Sequence, residues 1–190
     1  EELARIQRAL ARTQDRAGAF NLIERLAQPY SQSADVKLVL ANAAQAAGLS
    51  ARAVQEARAA YAIAPDSARA ALTAAQYLQA SDRPAALALL QDFVARHPTV
   101  ADTRLAYARL LIADGKFDAA RSEFQFLLQA DPKNPDLVYS MALLSMQGKL
   151  PADARTYLQR YLELIASSDG DSSRAGARPV ACRIRLPPSR

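Results

Sequence analysis

Apolar residues recur at intervals of three and four along most of the chain, the spacing that places them on one face of an α-helix. The segment Ala101–Pro132 shows two such runs, one with Leu105 and Leu111 and the other with Phe124. Asp114-Gly115 separates the runs, and glycine is typical of a position where a helix ends. The pattern therefore predicts two helices joined by a short turn.

This two-helix pattern recurs along the chain. Ala64-Pro65, His97-Pro98 and Asp131-Pro132 each close an apolar run, at intervals of about 34 residues. Proline keeps the second helix of each pair from continuing, and the linkers at 65–67 and 131–135 offer Asp, Ser and Asn to cap the next helix. We predict five helix pairs, at about 1–33, 34–66, 67–100, 101–134 and 135–166, which together form one domain over 1–166.

The composition agrees with an all-α fold and limits the chemistry. Hydrophobic residues make up 51% of the 190 positions, alanine is the most frequent of them, and tryptophan is absent. Small side chains let paired helices approach closely. One histidine, His97, and one cysteine, Cys182, cannot build a disulfide or a multi-ligand His/Cys metal site, and His97 at a helix end is typical of a structural residue. We therefore predict a non-enzymatic protein without a metal or cofactor.

The net charge of +5 lies mostly in the last segment, because residues 167–190 contain five arginines and two aspartates. Serine, glycine, proline and arginine make up most of this segment, and it shows no apolar periodicity. We therefore predict a disordered basic tail, with a basic docking arm as the alternative. No apolar run reaches the length of a membrane span. Because the sequence begins at Glu1, we expect a mature form or a fragment of a longer protein.

Carboxylates are spread among the turns and second helices at the repeat spacing. This distribution favours solvated helix faces over a paired general acid and base. The residues concerned are Asp15, Glu24, Glu56, Asp92, Asp118 and Glu123.

The segment Ala101–Pro132 resembles the tetratricopeptide repeat. Ala120 stands where that motif has the small residue of the helix contact, Phe124 where it has the large plug, and Pro132 where it ends, while Arg104 replaces the first-helix aromatic. The resemblance implies a right-handed superhelical solenoid of about five helix-turn-helix repeats that binds proteins. It also implies that the first helices of the pairs line a concave groove.

Mapping the groove positions of the family onto this chain gives a mostly apolar stripe. The predicted groove residues are Leu38, Asn42, Gln45, Leu78, Leu105, Arg109, Ile112, Tyr139, Leu143 and Met146. Such a groove suits an amphipathic helix or an extended apolar peptide of a partner, although any single leucine could instead pack against the next pair. Only Asn42 fits the carboxylate clamp of chaperone-binding relatives, which argues against that ligand. Asp35, Asp102 and Asp136 argue against nucleic acid.

We therefore predict a protein-interaction scaffold or adaptor in a bacterial multiprotein assembly. The sequence of residues 104–164 is similar to repeats of bacterial envelope and outer-membrane lipoprotein scaffolds, which favours the periplasm or cell envelope over the cytoplasm. Two alternatives stay open. Thr156–Leu164 leaves an apolar face that could support self-association as a homo-oligomer, or the array could be the recruitment region of a larger enzyme.

Overall fold

The computed structural model describes residues 16–175, with side chains as far as Ser167. Every regular element in this part of the chain is helical, so the predicted all-α fold is confirmed. One turn of 3-10 helix, Gln28–Tyr30, follows the first helix. The α-helices are α1 (Arg16–Ala27), α2 (Ala34–Ala46), α3 (Ser50–Ile63), α4 (Ala68–Ser81), α5 (Arg83–Arg96), α6 (Ala101–Ala113), α7 (Phe117–Ala130), α8 (Pro135–Gln147) and α9 (Pro151–Ala175).

Polar side chains and prolines fix where several helices begin. The hydroxyl of Ser67 accepts a hydrogen bond from the amide of Ala70 at 3.3 Å. Asn134 accepts from the amides of Asp136 and Leu137 at 3.1 and 3.3 Å. These side chains satisfy amides that the first helical turn leaves without a partner, so the predicted caps in both linkers are confirmed.

Three helix pairs share one turn geometry. Gly48 and Gly115 adopt φ values of 78° and 76°, the left-handed region in which glycine has no Cβ penalty. After Gly115, the amide of Lys116 donates to the carbonyl of Leu111 at 2.9 Å, which closes the end of α6. In the last pair the left-handed residue is Lys149, with φ 56°.

Alanine forms the closest helix contacts. Ala41, Ala57 and Ala74, from α2, α3 and α4, pack together and have no exposed surface. A methyl group at each position lets three helices meet at one point, and a larger side chain would separate them. Leu90 and Phe93 of α5 are also fully buried. The alanine-rich composition is therefore explained by the packing between consecutive helix pairs.

The chain forms two compact units, Glu1–Leu127 and Leu128–Arg190. In the second unit α8 packs on α9, and Val138, Met141 and Ala142 of α8 are buried. Helix α9 continues to Ala175, past the predicted domain boundary at 166. Two parts of the prediction lie outside the described residues. They are residues 1–15 of the first predicted pair, which include Asp15, and residues 176–190 of the predicted tail, which include Cys182. The five-repeat division stays a prediction.

Candidate functional site

The first unit exposes a stripe of polar side chains on its three first helices, α2, α4 and α6. Four of the five are primary amides, which present an N–H donor and a carbonyl acceptor side by side. We call this stripe the amide surface, and it consists of Asn42, Gln45, Gln76, Gln79 and Arg109, all of them exposed.

A recess lies beneath the stripe between α4 and α6. It has a volume of about 360 Å³, and its lining includes Gln76, Gln79 and Arg109. Leu72 and Ala106 are half-buried and form part of the apolar lining. At the end of the recess, the guanidinium of Arg83 donates to the carbonyl of Ala113 at 3.1 Å. The recess therefore combines an apolar lining with amide and guanidinium groups.

Two predicted groove residues, Leu38 and Leu78, are corrected by the structure. Each is only 2% exposed. Leu38 packs against Ala60 and Ala70 in the core, so it presents no surface to a ligand. The prediction for Leu78 is one residue out of register. The residue that lies 34 positions after the exposed Gln45 is Gln79, which is also exposed.

Sequence reasoning missed Gln76 and Gln79. A usable signal was present, since Asn42 and Gln45 recur after 34 residues as Gln76 and Gln79. Of the predicted groove residues in the first unit, Asn42, Gln45 and Arg109 are exposed, while Leu105 and Ile112 are half-buried. The exposed part of the groove in this unit is polar, in contrast to the mostly apolar stripe predicted from the sequence.

A tyrosine joins α4 to α2 at the edge of the stripe. The hydroxyl of Tyr77 donates a hydrogen bond to Oδ1 of Asn42 at 2.6 Å. Burial of the phenol disfavours its charged form and raises the pKa of Tyr77 above its ordinary value. This bond fixes the Asn42 amide with its oxygen toward Tyr77 and leaves its N–H groups available.

The second unit contains the other three predicted groove residues. Tyr139 is 39% exposed, and its ring centroid lies 5.1 Å from that of Tyr161. Leu143 is half-buried. Met146 is 58% exposed, but it lines a different recess, together with Leu158 and Leu162 of α9. Within the second unit, Met146 therefore belongs to the end of the last helix pair.

The prediction that the carboxylates lie on solvated faces is wrong for Glu56. Its side chain is 3% exposed and pairs with Lys37 at 2.8 Å and Arg52 at 3.1 Å. Glu123 is also largely buried and pairs with Arg104. These carboxylates hold neighbouring helices together, because a buried charge needs a partner of opposite sign.

His97 occupies a structural position. Its Nε2 lies 3.0 Å from Oδ1 of Asp66, and its ring centroid is 4.5 Å from that of Phe93. Among the described residues, no group of three or more His, Cys, Asp or Glu side chains is arranged to hold a metal ion. No helix in the same part of the chain has the length and apolar character needed to cross a membrane.

Comparison with solved structures shows the same fold in several proteins. A crystal structure of MamA is 18% identical, with 82% of this chain and 92% of that chain covered and a TM-score of 0.69. MamA from Desulfovibrio magneticus RS-1 is 17% identical, covers 88% and 95%, and has a TM-score of 0.70. YrrB, a TPR protein with an unusual peptide-binding site, is 16% identical, covers 83% and 82%, and has a TM-score of 0.63.

Sequence comparison assigns the family directly. No curated protein matches the chain. The sequence model of the tetratricopeptide repeat matches residues 77–125 and 111–172, which together span half of the chain. Proteins of this fold are protein-interaction scaffolds, and with the helix pairs and their turns described above, the match shows that the chain belongs to the tetratricopeptide repeat family.

Proposed function

We propose that the amide surface of the first unit binds an extended peptide segment of a partner protein. The observation that carries this proposal is the row of exposed amides on α2 and α4, continued by Arg109 on α6, with Gln76 and Gln79 at the mouth of the recess. A side-chain amide can donate to a peptide carbonyl and accept from a peptide N–H at the same time. The surface thus matches a peptide backbone, whatever its side chains.

An extended ligand suits these amides better than a helical one. In a helix the backbone N–H and C=O groups already bond to each other, so an amide row gains little from them. An extended segment leaves both groups unpaired and seeks partners for them. Of the two predicted ligands, a partner helix or an extended apolar peptide, the proposal keeps the extended peptide, and it replaces the apolar groove of the first unit by a polar one that binds the peptide backbone.

The spacing of the helices fits the length of such a peptide. Packed helices lie roughly 8–10 Å apart, and an extended chain advances about 3.3 Å per residue. A peptide that crosses α2, α4 and α6 therefore advances about three residues from one helix to the next, and meets amides on α2 and α4 and a guanidinium on α6. The exposed Arg109 adds one cation on α6, so an acidic side chain or a terminal carboxylate on the peptide would bind there most strongly.

YrrB supplies a precedent, because it is a protein of the same fold with a peptide-binding site. At 16% identity this likeness supports the fold and makes a peptide ligand a reasonable choice of probe. An adaptor role in a bacterial envelope assembly, and a recruitment role within a larger enzyme, stay predictions from the sequence.

The test is selection of peptides from a random-sequence library displayed on phage against the intact chain. The selected peptides are then titrated by fluorescence anisotropy against Q76M/Q79M, in which an apolar side chain of similar length replaces each amide. We expect the double variant to lose at least about tenfold in affinity, since several hydrogen bonds of about 1 kcal/mol each are removed. Peptides with an acidic side chain or a terminal carboxylate should also bind the Arg109→Gln variant more weakly than the unmodified chain, by a similar factor.

Gln91→Met is the matched control, because Gln91 is exposed on the second helix α5. It should bind the selected peptides like the unmodified chain. Circular dichroism establishes that each variant keeps its helical content. Peptides that bind Q76M/Q79M and the unmodified chain equally would contradict the proposal, as would a library that yields only peptides whose binding needs a helical conformation.

A further inference from the structure

The last helix pair carries an apolar groove at its end. Met146 of α8 and Leu158 and Leu162 of α9 line it, with a volume of about 590 Å³. Met146 is 58% exposed and Leu162 is 60% exposed, among the most exposed large apolar side chains in the described residues. We call this the end face, and it lies wholly within the second unit. It is separate from the amide surface and from the proposed peptide ligand.

Earlier helix pairs use the same positions for stacking. The residues that correspond to Leu158 and Leu162 in the pair α4/α5 are Leu90 and Val94, which are 0% and 6% exposed. Helix α6, the first helix of the next pair, packs on α5 there. In the pair α2/α3 the counterpart of Leu158 is Ala57, which is buried against Ala74 of α4. The end face is therefore shaped to receive a helix.

The charged side chains beside the leucines indicate which helix packs on the end face. Arg155, Gln159 and Glu163 follow at intervals of four, so they form a row next to Leu158 and Leu162. Both Arg155 and Glu163 are exposed. If two copies of α9 lie antiparallel with a two-fold axis near Gln159, Arg155 of one copy is level with Glu163 of the other, twice over.

The apolar row lies close to the same symmetry. Leu158 and Leu162 are centred on residue 160, one position from Gln159. In that arrangement Leu158 of one copy lies within about 3 Å, along the helix axis, of Leu162 of its mate, so the two leucine rows overlap while each cation meets a carboxylate. A two-fold interface needs a surface that is complementary to itself. We propose that the end face is the interface of a two-fold dimer, in which α9 of one chain packs antiparallel on α9 of a second copy.

The first experiment measures the oligomeric state of the full chain by sedimentation velocity from low to high micromolar concentration. The unmodified chain should be a dimer, and Leu162→Glu should raise its dimer dissociation constant by roughly a hundredfold, because a carboxylate would then have to be buried among leucines. Ile63→Glu is the control, since Ile63 is 40% exposed on α3 of the first unit. It should leave the dimer intact.

A charge exchange tests the antiparallel pairing itself. Arg155→Glu or Glu163→Arg alone places like charges level with each other and should weaken the dimer by about tenfold. The double variant R155E/E163R restores opposite charges and should recover most of the lost affinity. A parallel pairing would show no such recovery.

Several results would overturn the proposal. One is a dimer that L162E leaves unchanged, and another is a double charge variant weaker than either single variant. A monomer at every concentration would also overturn it and leave the end face to the segment 176–190 or to a different protein. Because Leu162 is 60% exposed, L162E should fold normally, and circular dichroism checks this. Peptide binding by the amide surface should survive in L162E, so the two proposals can fail separately.

Discussion

Nζ of Lys37 lies 2.8 Å from Oε2 of Glu56, and the Glu56 side chain is 3% exposed. Arg104 and Glu123 form the same bridge between α6 and α7, with the same separation of 19 residues along the chain. Arg104 stands where the tetratricopeptide motif has a first-helix aromatic residue, and its guanidinium also stacks 3.8 Å from the ring centroid of Phe126. Buried ion pairs thus take the place of apolar contacts inside two of the helix pairs.

Glu56→Gln should destabilise the fold by about 3 kcal/mol, because the substitution leaves Lys37 without its counter-ion. Arg52 would also lose the partner that lies 3.1 Å away. The measurement is the free energy of unfolding from urea titration followed by circular dichroism. A loss below about 0.5 kcal/mol, the value typical of exposed pairs, would contradict the buried geometry.

The pair α4/α5 supplies a control for the same position. In this pair Ala71 occupies the position of Lys37 and Arg104, and Leu89 occupies the position of Glu56 and Glu123. Ala71 is fully buried. The double variant K37A/E56L copies this apolar solution into α2/α3. It should be about as stable as the unmodified chain, since well-packed apolar groups often replace a buried ion pair without loss. The contrast between the single and the double variant separates the charge from the packing.

The sequence predicts the helix pairs and their caps well because those features depend on local spacing. The turn at Gly115 and the cap at Ser67 each follow from residues within one turn of a helix. The prediction for Glu56 is wrong because its partner Lys37 lies on another helix, 19 residues away. The periodicity of a single helix carries no information about what lies opposite a carboxylate.

The register of α4 was harder to predict for a different reason. Ala70, Ala71, Ala74 and Ala75 are all buried, so two neighbouring alignments of the helix place alanine at the close contacts equally well. The one-residue error placed Leu78 in the groove and hid Gln79, and with it the polar character of the surface.

The stability contributed by Tyr77 should depend on pH. Because burial raises its pKa in the folded state above the ordinary value, the folded chain holds this proton more tightly than the unfolded chain does. The contribution is fully present below about pH 10, the ordinary value, and is lost as the pH rises through the raised pKa. Ionisation also removes the hydrogen bond that the hydroxyl donates to Asn42.

Tyr77→Phe makes this pH dependence measurable by urea unfolding. At neutral pH the variant should be less stable than the unmodified chain by about 1 kcal/mol, the contribution of one hydrogen bond. Well above the ordinary tyrosine pKa this difference should shrink toward zero. Tyr30→Phe, on a side chain that is 61% exposed, provides the comparison and should show no such convergence. A difference for Y77F that stays constant with pH would mean that the phenol ionises as freely in the folded state as in the unfolded chain.

Lys149 offers a site where the fold can be made more stable. It has a φ of 56°, and it lies 34 residues after Gly115, whose φ is 76°. A side chain in this left-handed region costs about 1 kcal/mol relative to glycine. Lys149→Gly should therefore stabilise the chain by about 0.5 kcal/mol after the greater freedom of glycine in the unfolded state is subtracted. The shift is read from urea or thermal unfolding.

The reverse change at the equivalent position tests the same argument. Gly115→Ala should destabilise by about 1 kcal/mol. A Cβ at Gly115 meets no atom within 4 Å, so any loss comes from the backbone conformation and not from a clash.

Lys133→Gly is the control for the loss of a lysine in Lys149→Gly. Lys133 is exposed in a loop of the second unit, which also contains Lys149, and its φ is not positive. If K149G and K133G destabilised the chain equally, the left-handed backbone at Lys149 would carry no strain, and the turn would owe its geometry to the hydrogen bond from the amide of Leu150 to the carbonyl of Ser145.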